Sequence, residues 1–444
     1  MGMRLVLASL ALAVTLVSGT LQQRACIAAQ SAYEELQACF ARHSYSTVRF
    51  VDPSRGNDSL HCLSGGETTP CRTINFAATG SISTADVRNA ASLEIILLPG
   101  EHKLTDNLVL YDSEFVYLHG REAAGTLLTC ANFRNDRLIN GTERYDDLAF
   151  IDGGNVRIAN LTFTRCGPIS VAIFFSRVTN IIIEGCTFEG VLSSAVFGIN
   201  VTNGFFIDNK FLSNRAVRLN DSLKDVFRLR TVQDLQLFFD SRASSAGGVS
   251  LSLERDVANV LFLRNTFSGN RARPNFASSP APMRLQPLGR GGAISLRIIN
   301  SIGTNLCIKD STFTNNTAEV SAGAITYSVA GFATDSSLTV DGCTFDGNTC
   351  ELDQCIGGAM AFQTGHLNID GATNYIFFLN SVLRNNRAGA AAGFSGFSDQ
   401  SSQMYHFENC TFEGNMAESD STAVSILSLG ITTARGSTFN CTNW

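Results

Sequence analysis

Carboxylates are the first residues to consider for chemistry, because hydrolysis of a glycosidic bond needs two carboxyl groups that flank the bond. Asp146 and Asp147 are neighbours in the sequence. Adjacent residues of a strand point to opposite faces, which favours an exposed loop pair over a catalytic dyad. Asp208 and Asp310 share one repeated position with Asn and Gly. That pattern is typical of a left-handed turn, so these two acids are expected to form turns.

Histidines and cysteines show no metal-site pattern. The histidines are scattered without metal-ligand spacing: His43, His61, His102, His119, His366 and His406. Cys350 and Cys355 bracket a short loop, for which a disulfide is favoured over a metal site if the chain is secreted. Three cysteines at one repeated inward position are expected to be inert core thiols or bridges to nearby coils: Cys186, Cys343 and Cys410. The GGAI motif lacks the lysine and helix of a phosphate loop, and the sequence predicts neither a metal nor another cofactor.

Six similar segments follow one another from residue 247 to the C-terminus. Each opens with small residues and a short apolar run, and then reaches Thr-Phe or its equivalent. In five of the six, an Asn stands three positions after that point: Asn270, Asn316, Asn348, Asn386 and Asn415. A unit this short cannot bury its apolar face alone, so neighbouring units must stack.

The repeats align on one mainly aromatic column: Phe163, Phe188, Phe211, Phe267, Phe313, Phe345, Leu383, Phe412 and Phe439. Three positions earlier stand mostly Asn, Asp and Gly, which predicts one left-handed turn in each coil. At a strand spacing of about 4.8 Å, the Phe column predicts an internal aromatic ladder. The Asn column predicts amide hydrogen bonds from coil to coil.

Composition places the mature protein outside the cytosol. Residues 1–19 read as a signal peptide, with Arg4, an apolar core and small residues for cleavage. That core and all later apolar runs are too short to span a bilayer. Thirteen cysteines fit an oxidising compartment, and their odd number leaves one unpaired or linked to another chain. A formal charge of −6 without a basic cluster argues against a nucleic-acid partner.

Residues 20–47 are predicted to form a helical cap, because apolar residues recur at helical spacing. A helix that precedes a stack of strands suits a cap over the open end. Cys26 and Cys39 are thirteen residues apart, about 20 Å along a straight helix, which exceeds disulfide reach. Either the helix breaks between them or each pairs elsewhere.

Two stretches carry a family resemblance. Phe50-Val-Asp-Pro-Ser-Arg-Gly-Asn-Asp, followed by Pro70-Cys-Arg-Thr-Ile-Asn-Phe-Ala, resembles the beginning of secreted proteins of the pectin-lyase-like superfamily. The resemblance implies an all-β fold, namely a right-handed parallel β-helix over residues 48–444 with a short N-terminal α-helical cap. Cys62 and Cys71 bracket one loop here and are expected to pair. The GHG and NTD signatures of the pectin-degrading hydrolases are absent.

The GGAI and FxxN motifs from about residue 247 to 444 resemble the repeats of chlamydial polymorphic outer-membrane proteins. Those proteins are adhesins delivered as autotransporters with a C-terminal membrane barrel. Alternating barrel strands do not precede Trp444, so that route of membrane delivery is not inferred. The chain stops within a coil, as a fragment of a longer protein would.

The coils vary mainly at one corner, where residues 215–246 and 271–290 are inserted. Loops inserted at one corner project from one side of a rod, which is the expected binding face. The first insertion supplies the predicted binding residues: Arg228, Arg230, Phe238 and Phe239.

Asn-x-Ser/Thr sequons predict N-glycosylation in a eukaryotic secretory pathway: Asn57, Asn140, Asn160, Asn200, Asn220, Asn315, Asn409 and Asn440. For Asn160 and Asn409, the alternative is that the motif merely belongs to the repeat.

The favoured hypothesis is a secreted, non-catalytic, adhesin-like β-helix that binds glycans or a cell-surface or matrix partner. The alternative is a polysaccharide lyase or glycoside hydrolase, and a third hypothesis is a structural wall component. Three or more Asp, Glu, Arg or Lys side chains that converge in a groove over adjacent coils would refute the binding hypothesis.

Overall fold

The chain folds as a right-handed parallel β-helix with an N-terminal helix. A computed structural model describes residues 25–440 except 81–85, 89–91, 105–107, 123–124, 131–147, 167–170, 193, 217–245, 255–257, 273–290, 320, 332, 353–354, 368–372, 399–401, 419–423 and 428–430. Helix α1 covers residues 25–42, and helix α2 is Ile74–Thr79. Short 3-10 turns lie at Leu60–Leu63 and Gly66–Thr68.

Sheets 1 and 2 meet at the left-handed turn of each coil. Sheet 1 is formed by Thr47–Val51, Ser92–Leu97, Phe115–Gly120, Asn155–Ala159, Asn180–Glu184, Asn203–Ile207, Asn259–Leu263, Asn305–Lys309, Ser337–Asp341, Thr373–Leu379, Ser402–Glu408 and Ile431–Arg435. Sheet 2 is formed by Gly100–Lys103, Thr126–Thr129, Thr162–Thr164, Thr187–Glu189, Lys210–Leu212, Thr266–Ser268, Thr312–Thr314, Thr344–Asp346, Val382–Arg384, Thr411–Glu413 and Thr438–Asn440.

Two further sheets complete the coil. Sheet 3 is formed by Asp86–Arg88, Leu108–Tyr111, Leu148–Ile151, Ile173–Ser176, Val196–Ile199, Val249–Glu254, Ile294–Ile299, Ile325–Gly331, Met360–Leu367, Phe394–Ser398 and Val424–Leu427. The short sheet 4 is formed by Arg215–Ala216, Arg271–Ala272, Thr317–Ala318, Thr349–Cys350, Arg387–Ala388 and Met416–Ala417. Neighbouring strands are parallel in each sheet.

One coil visits the sheets in the order 1, 2, 4, 3, as in Asn203–Ile207, Lys210–Leu212, Arg215–Ala216 and Val249–Glu254. Along each strand, alternate side chains point into the rod, which explains the buried-exposed alternation of sheet 1. The main apolar core therefore runs through the centre of the rod.

The predicted aromatic ladder is confirmed. From Phe163 to Phe345, each ring stacks on the next with centroids 4.6 to 4.9 Å apart. The turn column is confirmed as well, with φ values of 56° at Asn160, 55° at Asp208 and 51° at Asp310. Arg264 holds the same left-handed conformation, with φ 53°.

The predicted amide ladder is also confirmed, and it is buried. Asn316 illustrates the unit: its Nδ2 donates to the Asn348 Oδ1 at 2.9 Å and to the Phe267 carbonyl at 3.0 Å. The small residues that open each repeat allow close packing of coils. A Cβ on Gly292 would lie 2.7 Å from the Thr317 nitrogen and closer still to the Gly323 carbonyl, so only glycine fits there.

Helix α1 lies along the outer face of sheet 1. Four of its side chains face the rod: Ala29, Tyr33, Leu36 and Phe40. They cover outward apolar side chains of successive strands: Ile182, Phe205, Ile207, Leu261, Leu263 and Cys307. The 14 residue steps from Cys26 to Phe40 rise about 21 Å, close to the roughly 24 Å of the five strand spacings beneath them. The helix thus runs parallel to the rod axis.

The first coil is closed by α2 rather than by α1. Ile74, Phe76 and Ala77 of α2 are buried in the main core. Thr73 caps this helix by accepting a hydrogen bond from the Phe76 nitrogen at 3.2 Å, and Gly80 ends it with φ 71°. The end of the rod is therefore covered by the segment that carries the pectin-lyase-like resemblance.

Candidate binding surface on the flank of the rod

The predicted ligand-binding side chains fall outside the described residues: Arg228, Arg230, Phe238 and Phe239. The same holds for residues 1–19, for most of both insertions and for the Asp146–Asp147 pair. The described chain ends in sheet 4 before each insertion and resumes just before sheet 3, so the insertions lie between these two sheets in the sequence. Binding by those four side chains stays a prediction.

The sequon asparagines differ in exposure. Among the described ones, Asn57, Asn315 and Asn409 are exposed, whereas Asn160 and Asn200 are half-buried. The other side chains lie outside the described part of the chain: Asn140, Asn220 and Asn440. Glycosylation also stays a prediction.

Disulfides join both near and distant segments of the described residues: Cys26–Cys307, Cys62–Cys71, Cys130–Cys166 and Cys350–Cys355. The Cα atoms of Cys62 and Cys71 lie 4.9 Å apart. Helix α1 continues unbroken from Cys26 to Cys39. Cys26 therefore pairs elsewhere, while Cys39 is a free, half-buried thiol.

The repeated inward cysteines are free thiols within the core. Burial raises the pKa of Cys186 and of Cys343 to about 12, and it also raises the pKa of Cys410. A thiol with so high a pKa is protonated at neutral pH and is a poor nucleophile. These side chains serve packing rather than chemistry.

The acids of the turn column are likewise structural. Asp208 accepts two hydrogen bonds from Arg264 of the next coil, each 2.7 Å long. Both groups are about half-exposed, so the pair contributes little to stability.

Six side chains gather on the outer face of sheet 1 beside the C-terminal end of α1, and we call them the flank cluster: Tyr45, Glu94, Tyr117, His119, Arg157 and Glu184. Strand register explains the grouping. Glu94 pairs with Tyr117, and Tyr117 with Arg157, so these three form one outward column. His119 and Glu184 stand two residues further along their strands, on the same face.

Two contacts between a basic and an acidic side chain join neighbouring strands in the flank cluster. His119 Nε2 lies 3.0 Å from a carboxylate oxygen of Glu94. Arg157 donates from Nε to Glu184 at 2.9 Å, and a second guanidinium nitrogen contacts the same oxygen. These four side chains remain 16 to 19% exposed. They are accessible at their edges but fixed in position.

Aromatic rings frame these charges. The Arg157 guanidinium lies 4.9 Å from the Tyr117 ring centroid and 5.9 Å from that of Phe40 in α1. Tyr117 also stacks on His119 at 4.1 Å and lies 6.2 Å from Tyr45. Cation–π contacts of this kind stabilise the arrangement by about 0.5–1 kcal/mol when exposed and more when desolvated.

Burial and charge shift the pKa values around the cluster. Burial raises the pKa of Tyr117, as it does that of Tyr45, where Glu94 adds to the effect. Burial and the nearby Glu184 carboxylate raise the pKa of Tyr33 to about 12. Burial is the largest single effect on Arg157 and would lower its pKa, but Glu184, Tyr117 and Tyr33 together outweigh burial and the pKa is raised. The tyrosines are therefore neutral hydroxyls and Arg157 is a permanent cation at neutral pH.

The chemistry of the cluster is set by its paired acids and its aromatic rings. Glu94, Arg157 and Glu184 converge here over adjacent coils, an arrangement that would favour an enzyme if they lined a groove. Glu94 is hydrogen-bonded to His119 and Glu184 is paired with Arg157, whereas a glycosidase needs a carboxyl group that donates a proton to the leaving oxygen. Tyr117 and His119 add aromatic faces and polar edges to these groups.

In the described residues, no three His, Cys, Asp or Glu side chains come together as metal ligands. Neither described helix is both long and apolar enough to cross a membrane.

No protein-family model matches this chain, and no curated protein sequence matches it. Among solved structures, the GH136 lacto-N-biosidase from Eubacterium ramulus is similar over 89% of this chain and 68% of its own, with 10% identity and a TM-score of 0.40. The periplasmic alginate epimerase AlgG matches over 81% and 80%, with 12% identity and a TM-score of 0.31. PfbA, a surface adhesin of Streptococcus pneumoniae, matches over 77% and 83%, with 11% identity and a TM-score of 0.26. These likenesses concern the parallel β-helix fold alone.

The flank cluster was not found from the sequence, although one signal was present. The strands Asn180–Glu184, Asn203–Ile207 and Asn259–Leu263 carry apolar residues at consecutive positions, where a strand with one wet face alternates. Such runs indicate that the outer face of these strands is covered by another element. They predict where α1 packs, and the flank cluster lies beside that position.

Proposed function

We propose that this protein is secreted and binds extracellular glycans, either free or carried by a surface or matrix partner, in an adhesin-like role. Residues 1–19 act as its signal peptide, and several sequons carry N-linked glycans. Disulfides among the described residues support an oxidising compartment. The GGAI and FxxN resemblance to chlamydial adhesin repeats supports the same role.

The flank cluster carries this proposal. Tyr45, Tyr117 and His119 offer aromatic surface, and the paired Arg157 and Glu184 offer donors and acceptors fixed by their contacts. Side chains already held in place lose little conformational entropy when a ligand binds, which favours affinity. A sugar chain running along the rod axis would meet the outward side chains of successive coils at about 4.8 Å intervals.

A polysaccharide lyase or glycoside hydrolase is the second candidate. Glu94 and Glu184 lie on one face, with His119 and Arg157 between them, and a bound substrate that displaced either basic side chain would release a carboxylate. Catalysis would therefore require these paired side chains to rearrange.

One experiment separates the two candidates. The purified protein is passed over immobilised alginate, polygalacturonate, hyaluronan, laminarin, xylan and chitin, and each soluble polymer is also incubated with it. We expect retention on at least one polymer with no change in its chain length. Shortened chains or new unsaturated ends would establish the enzyme, and retention on none of the polymers would refute the proposed function.

A further inference from the structure

A serine and a histidine meet beside the flank cluster, at the junction between α1 and the rod. His43 Nε2 lies 2.8 Å from the Ser92 hydroxyl oxygen. His43 follows the last turn of α1, whereas Ser92 opens a strand of sheet 1, two residues before Glu94 on the same face. A hydroxyl within hydrogen-bond reach of an imidazole is the basic arrangement of an activated serine nucleophile.

Two contacts fix this pair. The His43 ring stacks on Phe115 with centroids 3.8 Å apart and an angle of 13° between the planes. Phe115 is the register partner of Ser92 on the next strand. The imidazole that stacks on Phe115 therefore lies next to the Ser92 hydroxyl. The stack thus orients the imidazole, the task that a carboxylate performs in a catalytic triad.

The segment after α1 holds the serine in place. The Ser46 N–H donates to the Ser92 Oγ at 3.3 Å, and the Ser46 hydroxyl donates to the Ser92 carbonyl at 3.0 Å. Together with the contact to His43 Nε2, these hydrogen bonds fix the Ser92 hydroxyl beside the imidazole.

The geometry points to a second activity: hydrolysis of carboxylic esters, with Ser92 as nucleophile and His43 as base. With the His43 proton on Nδ1, Nε2 takes the Ser92 proton as Oγ bonds to the ester carbonyl carbon. The C–O bond to the alcohol then breaks, and the alcohol leaves with the proton from Nε2. Water attacks the acyl-serine with His43 again as base, releasing the carboxylic acid and restoring Ser92. The net reaction converts an ester and water into an acid and an alcohol.

The alternative is a purely structural role, in which the same hydrogen bonds tie the chain after α1 to the rod. That role needs no reactivity at Ser92. Tyr45 packs edge-on against His43 with ring centroids 4.9 Å apart and supplies an aromatic wall beside the base. Acetate esters carry a small acyl group and are the substrates to be tested. This inference is independent of glycan binding, because the aryl ester used to test it contains no sugar.

The test exposes the full-length protein to a fluorophosphonate probe and separately to p-nitrophenyl acetate. We expect mass spectrometry to find the phosphonate on Ser92, and ester hydrolysis above the buffer rate. Ser92→Ala should remove the label and lower hydrolysis about 100-fold. His43→Gln should also lower labelling and hydrolysis by about 100-fold, because general-base catalysis contributes about 100-fold or more.

Thr433→Val is the matched control, because the Thr433 hydroxyl lies 2.6 Å from Nδ1 of His406 on the same face of sheet 1. It should leave both readouts unchanged. If Ser92→Ala does not fold, the test depends on which residue of the unmodified protein carries the phosphonate. Absence of phosphonate on Ser92, or equal hydrolysis by the unmodified protein and either variant, would overturn the inference.

Discussion

Buried amides are the residues that bind one coil to the next. Asn316 accepts hydrogen bonds from the backbone nitrogen and the side chain of Asn270, at 3.0 and 2.9 Å, while it donates to the following coil. Both groups are fully buried, so the loss of one amide leaves donors and acceptors that no water can reach.

We expect Asn316→Ala to lower the free energy of unfolding by about 3 kcal/mol, because leaving a buried polar group unsatisfied costs about 1–3 kcal/mol. Chemical denaturation measures the change. Asn305→Ala is the matched control, since Asn305 lies in a half-buried ladder on the outside of sheet 1 and donates to Asn259 at 3.2 Å. Equal losses for the two variants would show that burial does not decide the strength of the ladder.

The core thiols make stability depend on pH. Burial raises the pKa of Cys186 and Cys343 from 9.0 to about 12. The folded state favours the neutral thiol, so this contribution is complete below pH 9 and is lost as the pH rises from 9 towards 12. We expect the free energy of unfolding to fall across that window, and to fall less steeply in Cys186→Ala/Cys343→Ala. Parallel pH profiles for the two proteins would contradict this origin.

At the residue level, the sequence predicts the ladder and turn positions well, because each repeats in many coils. Asp208 and Asp310 were correctly placed in turns on that basis. Arg264 could not be predicted from its residue type alone. Arginine rarely adopts a left-handed backbone, and here that conformation follows from its position in the coil.

Helix α1 is the element that distinguishes one flank of the rod from the rest. Its helical pattern was readable, but its position depends on a contact with outward side chains that are distant in sequence. The disulfide Cys26–Cys307 joins positions 281 residues apart, and nothing local identifies that partner.

Removing this bridge with Cys26→Ser/Cys307→Ser should lower the free energy of unfolding by about 4 kcal/mol, because a long loop is released in the unfolded chain. Denaturant titration measures the loss. Cys62→Ser/Cys71→Ser is the control, since that bridge closes a separation of only nine residues. The apolar contacts of Tyr33 and Phe40 persist without the bridge, so α1 should still resist limited proteolysis. An equal or greater loss in the control would contradict the loop argument.

As a whole, the molecule is a rod whose interior is regular and whose surface is not. The interior repeats, so the fold was predictable. The flank cluster depends on where α1 ends and on which outward residues meet there, such as Tyr117 and Arg157, and neither follows from the repeat. The four insertion residues predicted to bind remain a separate, untested hypothesis.

Glycan binding by the flank cluster is tested by comparing the affinities of two matched tyrosine variants. Calorimetric titration compares the unmodified protein, Tyr117→Ala and Tyr375→Ala with the polysaccharide that is retained most strongly in the panel. Tyr375 is a half-buried tyrosine on the outer face of the same sheet, away from the cluster. We expect Tyr117→Ala to weaken binding about tenfold, equivalent to about 1.4 kcal/mol, and Tyr375→Ala to leave it unchanged. Equal affinities for the unmodified protein and Tyr117→Ala would show that the flank cluster does not bind the polysaccharide.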